Sequence, residues 1–312
     1  MRMYLVTGGA GFIGSHIVDA LLERDYQVRV LDNLSTGNLK NLAHVRDRIE
    51  FFEGDVSESQ AVAEAVQKVD CVFHQAALPS VPRSVENPLG THHACTTGTL
   101  NVLNESRLAG VQRVVYAASS SAYGNQTFSS KRETDLPGPL SPYAVAKLSG
   151  EYYCQAFYQT YGLQTVAIRY FNVFGPRQDP NSAYSAVIPL FIAALLKGQR
   201  PVIYGDGLQS RDFTFVENVV HGNLLASQAH GVGGRVVNVA GGRSFSLLEL
   251  LAKLNNYLGT SVDPIHKDPR TGDVKHSLAD ITQASQVFSY EPVVDFDTGL
   301  QRSIDYYRTI LT

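Results

Sequence analysis

Thr7-Gly8-Gly9-Ala10-Gly11-Phe12-Ile13-Gly14 is the stretch of sequence that decides the fold. It follows a short apolar run over residues 3–6 and opens a helix-like segment over residues 12–23. Glycines permit a tight turn with close backbone approach to a pyrophosphate, and a helix N-terminus presents free N–H groups to it. Strand, glycine turn and helix in this order predict dinucleotide binding, with an ordinary glycine turn as the alternative. Two spacings fit, Gly9-x-Gly11-x-x-Gly14 and Gly8-x-x-Gly11-x-x-Gly14, and the pattern alone does not choose between them.

The composition argues against several classes of protein. The 312 residues are 44% hydrophobic and 18% charged, which is typical of an ordinary soluble globular protein. A net charge of −3 lacks the basic excess of proteins that bind nucleic acid or anionic membranes. Cys71, Cys95 and Cys154 have no metal-type spacing, and predict reduced thiols, no metal site and a cytoplasmic location. We expect no signal peptide, because Met1-Arg2 runs straight into the first strand, and no membrane-spanning segment.

Strand-like and helix-like segments alternate through the first half of the chain. Strands are predicted at residues 27–31, 49–53, 70–74, 114–117 and 165–168, and helices at 57–66, 91–109 and 141–161. This alternation predicts an α/β fold, a doubly wound parallel sheet of the Rossmann type with ligands at the carboxyl ends of its strands. After Arg169 the rhythm changes: helices are predicted at 186–196, 217–229, 246–258 and 297–310, and strands at 202–204 and 236–239.

This change of rhythm predicts two domains. Residues 1–172, with about 214–239 returning to the main sheet, would bind the dinucleotide. Residues 173–213 and 240–312 would form a smaller C-terminal α/β domain for the substrate. The segment 172–184 is rich in Pro, Asn and Gly, which indicates a loop or a crossing between domains.

Asp32 predicts which dinucleotide is bound. It lies 18 residues beyond Gly14, at the end of the second strand. A carboxylate there accepts hydrogen bonds from the ribose hydroxyls of NAD and repels the 2′-phosphate of NADP, and no Arg or Lys follows in Asn33-Leu34-Ser35. At the same sheet end, Asp55 is positioned to reach the adenine amino group, and the small residues Ala76 and Ala77 would leave room for the cofactor.

A second group of residues suggests acid–base chemistry. Tyr143 and Lys147 are four residues apart in a predicted helix that Ser141 can cap, so they share one face. A phenol titrates at about pH 10, so a phenol that acts as a base near neutrality needs positive charge close by. Lys147 and the cationic nicotinamide ring of NAD could supply this charge. Ser119, with Ser120 and Ser121, directly follows the fifth strand, where a hydroxyl can relay the proton of an oxidised substrate oxygen. An amphipathic helix and a plain serine loop are the alternatives.

Taken together, these motifs resemble the extended short-chain dehydrogenase/reductases, and within them the nucleotide-sugar epimerases of the UDP-hexose 4-epimerase type. The resemblance covers nearly the whole chain, including Thr7–Gly14, 32–37, 119–124, 143–147, 169–175, 211–213 and 270–280. It implies that Gly8, Gly11 and Gly14 are the cofactor glycines, Tyr143 the base, Ser119 the catalytic hydroxyl and Lys147 a ligand of the nicotinamide ribose. The implied reaction is transient oxidation at C4 of the sugar, with hydride stored on NAD and returned to the opposite face. Further NAD contacts implied are Phe12, Ile13, Asn33, Ser35, Gly37, Val56 and Tyr170.

The same resemblance implies a set of substrate contacts. Asn172, Arg211 and Arg270 match residues near the diphosphate, which suits arginine because its planar fork donates paired hydrogen bonds to phosphate oxygens. Val187 and Ile188 would lie near the uracil and Tyr204 in the nucleotide pocket. Ser277 stands where members restricted to non-acetylated sugars carry tyrosine, so it leaves room for an N-acetyl group at C2. The other implied contacts are Ser80, Val81, Ser84, Ser120, Ser121 and Asp273.

The sequence therefore favours UDP-GlcNAc/UDP-GalNAc interconversion, with UDP-Glc/UDP-Gal as a further pair. A 4,6-dehydratase would need an Asp-Glu pair where Ser120-Ser121 stands, whereas a UDP-glucuronate epimerase or decarboxylase is less excluded. A non-catalytic NAD-binding protein would need none of Ser119, Tyr143 and Lys147. Cys95 departs from the family, which usually has Asn there. We also expect a homodimer, formed through the helices at 91–109 and 141–161.

Overall fold

The computed structural model describes residues 2–126, 130–180, 186–269 and 275–311. The strands are Met3–Thr7 (β1), Gln27–Asp32 (β2), Ile49–Glu53 (β3), Cys71–His74 (β4), Arg113–Ser119 (β5), Gln164–Tyr170 (β6), Val173–Phe174 (β7), Val202–Tyr204 (β8), Ser210–Asp212 (β9), Thr214–Phe215 (β10), Arg235–Val239 (β11), Ser244–Ser246 (β12), Ile265–Lys267 (β13) and His276–Ser277 (β14). The α-helices are Phe12–Leu22 (α1), Ser59–Ala65 (α2), Val81–Glu86 (α3), Pro88–His92 (α4), Gly98–Leu108 (α5), Pro142–Tyr161 (α6), Val187–Leu196 (α7), Val216–Gln228 (α8), Leu247–Leu258 (α9), Thr282–Phe288 (α10) and Phe296–Leu311 (α11).

The main sheet confirms the predicted doubly wound α/β fold. In the part of the chain that the structure describes, seven strands lie in the order β11-β6-β5-β4-β1-β2-β3, and every pair is parallel. Side chains alternate across a strand, so Tyr4 and Val6 of β1 contribute to the core under α1 and α8, while Leu5 contributes to the core under α2, α5 and α6. Both faces of the sheet are therefore covered by helices, as a parallel sheet requires.

The turn between β1 and α1 is tightly packed at the backbone level. Gly8 has a φ of +68° and its N–H donates to the Leu31 carbonyl at 2.8 Å, which ties the turn to β2. A Cβ on Gly8 would lie 2.7 Å from the Ala76 nitrogen, and one on Gly14 would lie 2.2 Å from the Gly8 carbonyl oxygen. Only glycine fits at these two positions, because the obstructing atoms belong to the backbone.

The second half of the chain builds a smaller set of sheets beside the main one. β9 pairs antiparallel with β12 and parallel with β14. The buried Asp212 carboxylate accepts the backbone N–H groups of Gly241, Gly242 and Ala279 at 3.0–3.2 Å, which joins three segments. β11 returns to the main sheet beside β6, as the prediction for residues 236–239 required. The domain boundaries themselves stay a prediction.

Two details differ from the sequence-based expectation. The single helix expected at 91–109 is interrupted by a π-helical turn, His93–Thr97, in which the Gly98 N–H donates to the His93 carbonyl five residues earlier. Ser119 is the last residue of β5 rather than the first residue after it, and a short 3₁₀ segment, Ser120–Tyr123, follows. The Ser141 cap of α6 and the Ser246–Glu249 capping box of α9 are confirmed.

The described ranges contain neither a membrane-spanning helix nor a metal-binding cluster of side chains. Within them, no helix has the length and apolar character needed to cross a membrane. They also contain no cluster of three or more His, Cys, Asp or Glu side chains that would hold a metal ion.

The glycine turn predicts a large difference between two Gly→Ala substitutions. Gly8→Ala should lower the free energy of unfolding by about 2–5 kcal/mol, because the strain of a positive φ adds to the clash with Ala76. Gly110 has a similar φ of +73° with nothing within 4 Å of its Cβ position, so Gly110→Ala should cost only about 1–2 kcal/mol. Urea denaturation measures both, and equal losses would contradict the steric argument.

Candidate active site

A cavity of about 1650 Å³ opens at the carboxyl ends of the sheet strands. Its wall at one end contains Gly8, Gly11, Phe12, Ile13 and Gly14, so the open N-terminus of α1 faces it. Gly9 lies off this wall, since its Cβ position is 2.7 Å from the Val30 side chain. The glycines of the Gly8-x-x-Gly11-x-x-Gly14 spacing are thus the ones that line the cavity, and free N–H groups at this helix end suit a pyrophosphate.

Asp32 stands at the end of β2 on the same wall. Its carboxylate accepts the N–H groups of Ala10 at 2.9 Å and Leu34 at 2.8 Å, which orients both oxygens. Burial raises the pKa of Asp32, and these two backbone hydrogen bonds act in the opposite direction. Each oxygen keeps a lone pair for a further donor, so the carboxylate is able to accept ribose hydroxyls.

The other predicted cofactor residues surround Asp32 and the glycine turn. Gly37 is packed so closely that a Cβ would lie 2.7 Å from an Asp32 oxygen. Asn33 donates through Nδ2 to the Asp55 carboxylate at 2.6 Å, which links the ends of β2 and β3. Ser35, Val56, Ala76, Ala77 and Tyr170 also line the cavity. A wall of glycines, alanines and oriented acceptors fits a dinucleotide.

Three polar side chains lie together at the end of β5, three strands from β2 in the sheet. Ser141 caps α6 by accepting the Ala144 N–H at 3.1 Å, and this places Tyr143 and Lys147 one turn apart on the buried face. The Tyr143 phenol lies close enough to Ser119 for the serine side chain to act on the Tyr143 pKa. Ser119 Oγ in turn accepts the Ser121 hydroxyl at 2.9 Å. The structure thus brings the three predicted catalytic residues together on the cavity wall.

In the protein alone, burial sets the direction of the Tyr143 pKa. Burial raises this pKa, the neighbouring Cys95 adds to the shift, and the Ser119 side chain opposes it. The Lys147 ammonium donates to the Ala117 carbonyl at 2.8 Å and lies 5.0 Å from the Tyr116 ring centroid, so it is held by the end of β5. Burial also lowers the pKa of Lys147. In the protein alone, desolvation therefore favours the neutral form of both side chains.

A buried ion pair supports this helix from behind. Glu151, one turn beyond Lys147, accepts two hydrogen bonds from Arg169 of β6 at 2.8 and 2.7 Å. Both side chains are 3% exposed. Arg169 also lies 4.4 Å from the ring centroid of Tyr123. The pair therefore links α6 to β6 and packs against the 3₁₀ segment. The negative charge of Glu151 acts to raise the pKa of Lys147.

Cys95 lies in the π-helical turn behind the site. Its sulfur accepts the Leu78 N–H at 3.5 Å, a weak hydrogen bond, and its side chain is buried. The residue that replaces the usual Asn therefore holds the loop after β4 rather than a polar group of the cavity.

The predicted substrate residues divide into three groups. Those on the cavity wall are Ser80, Val81, Ser120, Ser121, Asn172, Arg211 and Ser277. Four others lie off the wall that the structure describes: Ser84 is buried and donates to the Val81 carbonyl, Val187 and Ile188 pack into the core around α7, and Tyr204 lies in β8 paired with β13. Arg270 and Asp273 lie outside the described residues.

The sequence reasoning missed several residues of the wall. Lys131, Arg177, Gln178, Tyr306 and Ile310 line the cavity. Arg177 and Gln178 belong to the Pro-rich segment that predicts a loop or a crossing between domains, and Tyr306 and Ile310 come from the last helix, α11. Lys131 reaches the wall through a bridge with Ala279, 148 residues away in the chain, so local pattern carried no signal for it.

Comparison with known proteins agrees with this geometry. Residues 4–240 match the NAD dependent epimerase/dehydratase family. The chain is 38% identical to the putative UDP-glucose 4-epimerase of Methanocaldococcus jannaschii, and the match covers 98% of each protein.

Two solved structures extend the comparison. The UDP-N-acetylglucosamine 4-epimerase from Methanobrevibacter ruminantium M1, in complex with UDP-N-acetylmuramic acid, is 40% identical, with a TM-score of 0.95 over 99% of each chain. The UDP-glucuronic acid 4-epimerase from Bacillus cereus, in complex with UDP-glucuronic acid and NAD, is 30% identical, with a TM-score of 0.92 over 99% of this chain and 100% of that one. The chain therefore belongs to the NAD dependent epimerase/dehydratase family, and its sheet has the Rossmann-like arrangement of the extended short-chain dehydrogenase/reductases.

Proposed function

We propose that this protein is an NAD-dependent 4-epimerase of UDP-hexoses that interconverts UDP-GlcNAc and UDP-GalNAc, and UDP-Glc and UDP-Gal as well. The observation that carries the reaction type is that Tyr143, Ser119 and Lys147 lie on the cavity wall that also contains the glycine turn. A base, a hydroxyl and a dinucleotide-binding turn on one cavity are what an oxidation at a sugar carbinol needs.

In the proposed reaction each group has one task. Gly8, Gly11, Gly14 and Asp32 would hold NAD, which when bound supplies the hydride acceptor and later the donor. Tyr143 takes the proton of the C4 hydroxyl, and Ser119 orients that oxygen through its own hydroxyl. Lys147, anchored on Ala117, is positioned to hold the nicotinamide ribose.

The nucleotide would be held separately from the sugar. Arg211 and Asn172 lie on the cavity wall, and the Asn172 amide donates to the Asp212 carbonyl at 3.3 Å, which ties it to the strand that carries Arg211. A fixed diphosphate would leave the sugar free to turn, so that hydride returns to the opposite face.

Tyr143→Phe tests the proposed base. The substitution should lower kcat by about 10²- to 10⁴-fold, because it removes the group that accepts the proton, while bound NAD per chain stays at the wild-type level. NMR of UDP-GlcNAc turnover and absorbance of released NAD measure the two quantities. Tyr161→Phe, the same change at the exposed end of α6, is the control. Full activity in Tyr143→Phe would contradict the mechanism.

The preference for acetylated sugars rests on Ser277. This residue is a small side chain on the cavity wall, and it leaves volume for an N-acetyl group.

Ser277→Tyr should therefore lower kcat/KM for UDP-GlcNAc by about 10- to 100-fold. This range corresponds to the cost of about 1–3 kcal/mol for inserting a larger side chain into a packed site. UDP-Glc should be affected much less. His276→Tyr, at the neighbouring exposed residue, is the matched control. Equal losses for the two sugars would refute the size argument.

We also propose that the enzyme is a cytoplasmic homodimer. The three cysteines are free and buried, which suits a reducing compartment. Leu89 of α4 and Val145 and Tyr152 of α6 are 82%, 51% and 58% exposed, and these helices adjoin each other. Exposed apolar side chains on adjacent helices are typical of a protein interface.

Tyr152→Glu tests this interface by placing a charge at its centre. It should shift the mass measured by sedimentation equilibrium from dimer toward monomer. Leu208→Glu, at an exposed leucine between β8 and β9, should leave the mass unchanged. A wild-type protein that sediments as a monomer would overturn the proposal.

A further inference from the structure

His74, the last residue of β4, is a buried histidine that the proposed chemistry does not use. Only 1% of its surface is exposed, and it lies behind the cavity wall rather than on it. Its Nδ1 lies 2.7 Å from the Thr7 hydroxyl, and its Nε2 lies 3.0 Å from the Thr99 hydroxyl. Because both threonines are buried as well, the two ring nitrogens are hydrogen-bonded away from solvent.

The neighbours of the two threonines fix which ring nitrogen carries the hydrogen. The Thr99 hydroxyl donates to the Cys95 carbonyl at 2.5 Å, so its oxygen is left to accept from His74. The hydrogen of the ring is therefore on Nε2. In a neutral imidazole Nδ1 is then an acceptor, and it accepts the hydrogen bond of the Thr7 hydroxyl. The Thr7 oxygen in turn accepts the Ala76 N–H at 3.3 Å.

A buried cation near His74 favours this neutral form. The Tyr116 ring centroid lies 5.7 Å from that of His74 and 5.0 Å from the Lys147 ammonium. A charged imidazole would therefore place a second enclosed cation beside the first, which is costly. Burial lowers the pKa of His74 to about 3, and the Lys147 ammonium acts in the same direction.

The hydrogen bonds through His74 run in one direction and join three segments of the cavity wall. They begin at the loop after β4, pass Thr7 before the glycine turn, and end in the π-helical turn. These three segments contribute Ala76, Gly8 and Ala94 to the wall. Hydrogen bonds in such a chain polarise and strengthen one another in a low-dielectric interior. One neutral ring thus holds the three segments against each other.

We propose that His74 is a positioning residue of the dinucleotide site, which it orders as a neutral imidazole with its hydrogen on Nε2. The inference goes beyond the proposed function and rests on it only for the identity of the ligand, NAD. Since His74 does not line the cavity, it acts on the cofactor through the glycine turn, the loop after β4 and the π-helical turn.

Thr99→Val tests the inference, because it keeps the shape of the side chain and removes the acceptor of the Nε2 hydrogen. NMR of NAD-loaded protein labelled with ¹⁵N in its histidines reports the tautomer, and His74→Phe identifies the His74 resonances by their loss. The wild type should show a bare Nδ1 and a hydrogen on Nε2, unchanged over the range of about pH 5–8 in which an ordinary histidine titrates. In Thr99→Val the hydrogen should move to Nδ1, where the Thr7 oxygen can accept it.

Release of NAD from the loaded protein is the second readout. Thr99→Val should release NAD about 10-fold faster than the wild type, the factor expected for the loss of one hydrogen bond. Thr96→Val is the matched control, the same change at a buried hydroxyl of the π-helical turn that has no hydrogen-bond partner in the described part of the chain. It should alter neither the tautomer nor the release of NAD. Urea denaturation verifies that both variants fold.

Three outcomes would overturn the inference. One is a wild-type His74 that is charged near neutral pH or carries its hydrogen on Nδ1. Another is a Thr99→Val protein that changes tautomer and still releases NAD at the wild-type rate, because the hydrogen bonds would then not order the site. The third is equally fast release from Thr99→Val and Thr96→Val, which would mean that the site responds only to packing in this region.

Neither readout involves a sugar, which separates this inference from the proposed function. If no UDP-sugar is epimerised but the tautomer and the release of NAD respond as expected, the proposed function fails and the role of His74 stands. If UDP-sugars are epimerised and Thr99→Val retains NAD as the wild type does, the role of His74 fails and the proposed function stands.

Discussion

The close contact of the Gly8 carbonyl with Gly14 is the constraint on which the rest of the site depends. Because neither residue has a Cβ, α1 starts directly on the end of β1, and Gly8 packs against Ala76 at the end of β4. The helix N-terminus is thereby aimed into the cavity, beside the Asp32 carboxylate that Ala10 and Leu34 orient. A methyl group at either glycine would have to move backbone rather than a side chain, so the turn and the cavity form together.

The end of the cavity that contains Tyr143 and Lys147 depends on the buried face of α6. Tyr143, Lys147 and Glu151 repeat every four residues and so lie on one side of the helix. The Ala117 carbonyl accepts a hydrogen bond from Lys147, and Arg169 pairs with Glu151. Breaking a buried pair such as Glu151–Arg169 leaves an uncompensated charge, which is far more costly than losing an exposed pair. The position of Tyr143 therefore depends in part on an ion pair that does not line the cavity.

Much of this arrangement could be predicted from local pattern. The strands alternating with helices, the Ser141 cap and the four-residue spacing of Tyr143 and Lys147 are properties of short segments, and the structure confirms them. The π-helical turn at His93–Thr97 could not be predicted, because one extra residue in a turn leaves no mark on a periodic pattern. Ile188 resembled a ligand contact by motif, yet α7 turns it into the core, where packing decides its direction.

By itself the sequence determined the glycine turn, the acid at the end of the second strand and the helix that carries the base, since each rests on steric or periodic rules within a few residues. Only the tertiary structure packs Gly8 against Ala76 and Gly9 against Val30, so that Gly8 and not Gly9 lines the cavity. It also encloses Tyr143, and this burial raises the pKa of its phenol. Lys131 also lines the cavity through a long-range contact, a β-bridge with Ala279. Desolvation and long-range contact are properties of the folded protein, and no short stretch of chain contains them.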